Sequence, residues 1–105
     1  MESALDWKNK GNQEFKAQNY EKAIEHYTKA IELDSTNITF FSNRAVAFMN
    51  SGKFEKALED ADKCLEMDSN YVKGYTRKGQ ALLSLRKYAE AEEIYKKGLE
   101  LFPDN

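Results

Sequence analysis

The sequence predicts an all-α protein made of three stacked helix–turn–helix repeats. Three observations carry this expectation. The 105-residue chain matches itself when displaced by 34 residues. Its apolar residues fall into six stretches of helical period, two in each copy. Proline is absent from all six, and the single proline, Pro103, follows the last one, where a helix stop is expected.

The self-match is residue by residue. Glu55-Lys56-Ala57 lie over Glu21-Lys22-Ala23, and Glu59, Lys63, Glu66, Asp68 and Ser69 over Glu25, Lys29, Glu32, Asp34 and Ser35. A second displacement puts Ala91, Glu93, Lys97, Leu99 and Glu100 over Ala57, Glu59, Lys63, Leu65 and Glu66. The repeats occupy 4–37, 38–71 and 72–105, and with no linker between them residues 1–105 read as one domain. First helices are expected at about 3–17, 38–51 and 71–86, and second helices at about 20–34, 54–68 and 88–102. The joints are short: Gln18-Asn19, Gly52-Lys53 and Lys87. Gly52 suits a helix C-terminus, because glycine takes positive φ without a Cβ clash. Asn37 and Asn70 stand where N-caps are wanted.

Small residues explain how the helices would pack. Gly11, Ala45 and Gly79 share one repeat position in the first helices, and Ala23, Ala57 and Ala91 share another in the second. They allow close approach within a pair. Aromatics fill the space around them and read as core: Trp7, Phe41 and Tyr75; Tyr20, Phe54 and Tyr88; Tyr27 and Tyr95.

This pattern resembles the tetratricopeptide repeat family over the whole chain. The family's small and aromatic positions read Trp7, Gly11, Ala23, Tyr27 and Ala30 in the first copy. In the third they read Tyr75, Gly79, Ala91, Tyr95, Gly98 and Pro103. The departures are Ala61 for the aromatic, Cys64 for alanine, and Ser35 and Ser69 for proline. The resemblance implies antiparallel helix pairs coiled into a right-handed superhelix. First helices would line its concave face and second helices its convex face.

On that assignment, charge separates by face. The first helices carry +1, +1 and +4, together +6, and the second −2, −4 and −2, together −8, for a net −2. A basic cleft attracts an acidic guest. Lys8 and Asn12 stand four apart on one first helix, and Lys73 and Arg77 four apart on another, so each pair shares a helix face. Asn43 lies between them, and Asn9 neighbours the cleft. Three cations and two carboxamides converging in this way suit a main-chain carboxylate plus an acidic side chain.

Those five residues, Lys8, Asn12, Asn43, Lys73 and Arg77, resemble the two-carboxylate clamp of co-chaperone tetratricopeptide domains. Start position and spacing are most similar to the N-terminal domain of the Hop/Sti chaperone-organising family. The resemblance implies a co-chaperone adaptor that grips the acidic Glu-Glu-Val-Asp tail of the 70-kDa or 90-kDa heat-shock chaperone. It equally fits the targeting domain of a larger clamp-containing protein: an immunophilin, a phosphatase or a glutamine-rich co-chaperone. Phe15, Val46, Met49 and Leu83 fall on the groove side and either form an apolar pocket for a guest Val or Ile or belong in part to the core. Asn50 and Gln80 are polar neighbours on the same face.

Other classes are less well supported. His26 is the only histidine, and Cys64, the only cysteine, stands at a packing position, so no catalytic pair, metal set or phosphate loop is expected, and no cofactor. Glu59, Asp60 and Asp62 read as a solvated charge run. A pI of 5.5 argues against nucleic acid. No stretch approaches the ~20 apolar residues of a membrane span. The first residues do not read as a secretory signal, which leaves a cytoplasmic protein as the expectation. Ile94, Leu99, Leu101 and Phe102 have nothing following to cover them, so the last helix is expected to meet a further helix or another copy, as in a weakly self-associating scaffold.

Overall fold

The computed structural model describes residues 1–103. Six helices follow in order: α1 (Ala4–Lys16), α2 (Tyr20–Leu33), α3 (Ile38–Asn50), α4 (Phe54–Met67), α5 (Val72–Ser84) and α6 (Tyr88–Leu101). Each packs on the next, and α3 also touches α5 directly. No comparable contact joins α2 to α4 or α4 to α6. At the second and third repeats, therefore, the first helices approach each other more closely than the second helices do. The stack measures 44 × 25 × 21 Å.

The helix ends have local causes. Ser3 caps α1 through a capping box, with Asp6 N–H donating to Ser3 Oγ at 3.1 Å and Ser3 N–H to Asp6 Oδ2 at 2.9 Å. These bonds hold the Asp6 carboxyl below its ordinary range. Asn37 caps α3, accepting from Thr39 N–H at 3.0 Å. Asn70 does not cap α5: that position belongs to Tyr71, and Asn70 instead donates its N–H to Asp68 Oδ1 at 2.9 Å. The 34-residue register places Tyr71, not Asn70, at the position of Asn37, and Asn70 falls instead where Thr36 makes the same Asx turn with Asp34 after α2.

The three first helices close alike. Gln18, Gly52 and Arg86 all take positive φ, at 64°, 79° and 63°. The next residue's N–H returns to the last turn in each case: Asn19 to Glu14, Lys53 to Phe48 and Lys87 to Leu82, all at 2.8 Å. Each is a Schellman closure. Glycine makes it without strain only at Gly52; Gln18 and Arg86 bear a Cβ penalty that the hydrogen bonds offset.

The core follows the small-residue rows. Ala23, Ala30, Ala45, Ala47, Ala61, Cys64 and Ala81 are fully buried. At Gly11 an added Cβ would lie 2.6 Å from Tyr27 Cε1, so the ring rests directly on the α1 backbone. Gly79 and Tyr95 repeat this contact in the third pair. In the second pair Ala45 faces a chain bearing Ala61 instead, the larger residue on α3 matching the smaller one on α4. Tyr88 departs from its expected core role. It is 62 % exposed, because among the described residues no later helix packs over it as α3 packs beyond Tyr20.

One polar group is buried with the core. Asp60 is 4 % exposed, not part of a solvated run. Arg44 reaches it with two bonds, Nε to Oδ2 at 2.8 Å and Nη2 to Oδ1 at 2.7 Å, and donates Nη1 to Thr28 Oγ1 at 3.1 Å. The guanidinium also lies 5.8 Å and 5.5 Å from the ring centroids of Phe41 and Phe48. This network ties α2, α3 and α4 together across the first repeat boundary. Burial raises the Asp60 carboxyl above its ordinary value even with Arg44 beside it.

Three outcomes test this packing. Gly11→Ala should lose about 1–3 kcal/mol in urea unfolding, because the ring must move, while Gly98→Ala, where the nearest atom is 3.4 Å away, should lose less. Arg44→Ala should cost about 3–5 kcal/mol at pH 7, since it strands a buried carboxylate; Asp60 would take up a proton as pH falls, so the deficit should shrink in acid. Burial pushes the Tyr27 phenol up from 10.0 to about 12. The unfolded chain therefore releases that proton first, and an alkaline stability profile should fall between these two values and fall less in Tyr27→Phe.

Candidate functional site

The inner face is built by α1, α3 and α5. Their cations divide into two sets. Lys10, Arg44 and Lys78 share one repeat position, and each is neutralised: Lys10 by Glu2, Arg44 by Asp60, and Lys78 by Asp62 at 2.8 Å. These three do not contribute free charge to the groove, so its surplus is smaller than the +6 counted along the first helices. Lys8, Lys73 and Arg77 make no ion pair among the described residues, nor does Lys16 at the exposed C-terminal end of α1. The register of the repeat separates the sets, since residues one or two positions apart on a helix point to different faces.

The five residues singled out by spacing are all on first helices: Lys8 and Asn12 on α1, Asn43 on α3, Lys73 and Arg77 on α5. Lys8, Asn12, Asn43 and Arg77 are half-buried and Lys73 is exposed. Arg77 has its Nε buried with no hydrogen-bond partner among the described residues. A buried unmet donor costs about 1–3 kcal/mol, more on a cation. Asn12 is held: Tyr27 Oη donates to its Oδ1 at 2.5 Å. Sequence reasoning placed Tyr27 in the core and missed its hydroxyl. The usable signal was Gly11, directly before Asn12, beneath the ring.

The apolar positions divide. Phe15 packs on the cluster of Ala23, Tyr27 and Ala47 and sits edge-on to Tyr20, with centroids 5.3 Å apart. Met49 packs on Phe48, Ala57 and Ala81. Both are half-buried, so each contributes to the core and shows the groove only part of its surface. Val46 is half-buried, and Leu83, Asn50 and Gln80 are exposed. An apolar hollow of about 370 Å³ lies elsewhere, at the α5–α6 end, lined by Val72, Tyr75, Tyr95, Leu99 and Phe102 among others.

Nucleophilic chemistry finds no support at Cys64. The thiol is fully buried and is pushed up to about 11 by burial, with Asp60 adding to the shift. It therefore stays protonated at neutral pH and is a poor nucleophile. Among the described residues no three His, Cys, Asp or Glu side chains are grouped to hold a metal ion.

The tetratricopeptide repeat pattern matches residues 39–71 and 72–105, and a related repeat pattern matches 11–52. The chain belongs to the tetratricopeptide repeat family. One solved tetratricopeptide domain, the first TPR of Spaghetti (RPAP3) bound to the HSP90 peptide SRMEEVD, superposes with a TM-score of 0.93 at 39% identity, over 98% of this chain and 82% of that one. The second TPR domain of human RPAP3, in complex with the HSP70 peptide SGPTIEEVD, gives 0.91 at 37% identity, over 97% and 85%. The Hsp70-Hsp90 organizing protein of Triticum aestivum is 44% identical over 52 residues, which is 50% of this chain and 9% of that protein. This tetratricopeptide chain thus spans under a tenth of that relative. Among the described residues no helix is long and apolar enough to cross a membrane.

Proposed function

We propose that the groove of α1, α3 and α5 holds the C-terminus of an extended acidic peptide, of the EEVD type that ends the 70-kDa and 90-kDa heat-shock chaperones, and that the chain is a co-chaperone adaptor domain. The observation that carries this reading is the sorting of charge. Among the described residues Lys8, Lys73 and Arg77 stay unpaired on the inner helices, while the cations of the Lys10, Arg44 and Lys78 row are neutralised. Lys8, Asn12, Asn43 and Lys73 hold the terminal carboxylate and its neighbouring acid, and Arg77 meets a carboxylate or main-chain carbonyl further in. Phe15, Val46, Met49 and Leu83, with Asn50 and Gln80, line the stretch that receives the preceding side chains. The two domains with peptides ending in EEVD support the same guest chemistry.

The reading assigns binding, not catalysis, to these residues, and it implies a cytoplasmic setting. It also suits a targeting segment: the serine/threonine-protein phosphatase T of Saccharomyces cerevisiae is 57% identical over 44 residues, 9% of its length. A second reading, weak self-association, draws on the exposed Leu99 and Leu101 beside the apolar hollow. Sedimentation velocity separates it: a concentration-dependent rise above the monomer supports it, and a constant monomer removes it.

Titration of a peptide ending in Ile-Glu-Glu-Val-Asp should show binding that is lost on amidation of its C-terminus. Lys8→Ala or Arg77→Ala should weaken the free acid about 10- to 100-fold, the worth of one charged partner. Affinity should fall with added salt, as part of the attraction is screened. Unchanged affinity in both variants would exclude the carboxylate mechanism while leaving the fold intact. Replacing the Ile by Met reports which chaperone tail is preferred.

A further inference from the structure

Tyr27 does more than packing requires. It is 2 % exposed, a site where phenylalanine would fill the same space. A hydroxyl buried there needs a partner, and it finds one on the neighbouring helix, donating to Asn12 Oδ1 at 2.5 Å. Gly11 makes this reach possible. A Cβ there would lie 2.6 and 2.7 Å from Tyr27 Cε1 and Cδ1, so the ring edge crosses α1 only because that atom is missing. The hydroxyl then emerges at the very next residue.

A carboxamide offers one acceptor oxygen and two N–H donors, whereas a carboxylate only accepts. An unrestrained asparagine can turn either end toward a guest. With Oδ1 engaged by Tyr27, the Nδ2 donors of Asn12 are the end left for a ligand. Resting on the groove reading above, we propose that Tyr27 is a positioning residue: its hydroxyl locks the Asn12 carboxamide with its N–H groups toward the terminal carboxylate of the bound peptide.

The other two repeats serve as internal comparisons. In the second, Ala45 and Ala61 replace glycine and tyrosine, and the following residue is the apolar Val46. In the third, Gly79 and Tyr95 restore the ring contact, and a carboxamide, Gln80, follows. Tyrosine under the helix thus goes with a carboxamide on the next residue. Among the described residues the hydrogen bond itself is completed only in the first repeat, where Lys8 lies one helical turn away. Burial pushes the Tyr27 phenol up to about 12, so it remains a neutral donor throughout the neutral range.

The test is a double-mutant cycle read by calorimetry with the free-acid and amidated peptides. Tyr27→Phe should weaken the free acid about 5- to 10-fold, the scale of one hydrogen bond, and should not change the amidated peptide. Asn12→Ala should weaken the free acid at least as much, and the double variant should be no weaker than Asn12→Ala alone. If Tyr27→Phe binds like the unsubstituted protein while Asn12→Ala loses affinity, the positioning role is overturned and the groove reading stands. A Tyr27→Phe loss that persists in full on the Asn12→Ala background marks a general packing effect and also overturns it. If Asn12→Ala binds normally, the groove assignment of Asn12 fails, and this inference with it. A readout independent of any variant's folding is the Asn12 side-chain NH2 resonance in the unsubstituted protein. It should shift on adding the free acid and stay in place with the amidated peptide; no shift with the free acid overturns the proposal.

Discussion

The close approach of the two helices in each pair governs the rest of the structure. Where Tyr27 lies on the backbone at Gly11, and Tyr95 at Gly79, the ring replaces the side chain that the first helix lacks. Interiors pack at near-crystalline density, so a ring in this position sets the distance and rotation of both helices. That rotation decides which first-helix residues face inward. Which residues of α1, α3 and α5 stay clear of the core is therefore a consequence of packing on the opposite side. The middle pair reaches a similar arrangement with Ala45 and Ala61, one methyl more on one helix and a ring fewer on the other.

Electrostatics divides the same helices differently. A cation at the position of Lys10, Arg44 and Lys78 meets a carboxylate in every repeat. At Arg44 the pairing is deepest: two charge-assisted hydrogen bonds to Asp60 counter part of its desolvation, and the Thr28 hydroxyl accepts a third bond from the guanidinium. Such a buried pair contributes little net stability over an apolar alternative; it joins α3 to α4 within the second repeat, and the bond from Arg44 to Thr28 extends it to the first. The inner cations have no such partners. Lys8 and Arg77 are half-buried on their helices, while Lys73 is exposed; on the proposed reading, side chains carried on helices lose less freedom on meeting a guest than loop residues would.

The placement of polar groups on helices, not loops, also explains why a small domain can recur in large proteins of different kinds. Organizing proteins, chloroplast outer-envelope proteins and a phosphatase all contain segments similar to this one. Each matched segment is a small part of its protein, and a repeat stack needs only its neighbours to fold.

The sequence by itself determined the repeat period, the number and order of helices, and the two rows of small residues. These are local or periodic properties, and the observed helix ends lie within two residues of the expected ones. The placement of Lys8, Asn12, Asn43, Lys73 and Arg77 on first helices was also legible, because i, i+4 spacing and a 34-residue register act together. Only the tertiary structure decided which charges are free. Arg44 and Asp60, sixteen residues apart, looked like a groove cation and a solvated acid until the docking of α3 on α4 joined them. Phe15 and Met49 stood between pocket and core until neighbouring helices covered part of each. Tyr27 read as a hydrophobic ring, because the reach of its hydroxyl to a partner fifteen residues away depends on how closely two helices approach, a distance that Gly11 permits but does not by itself set.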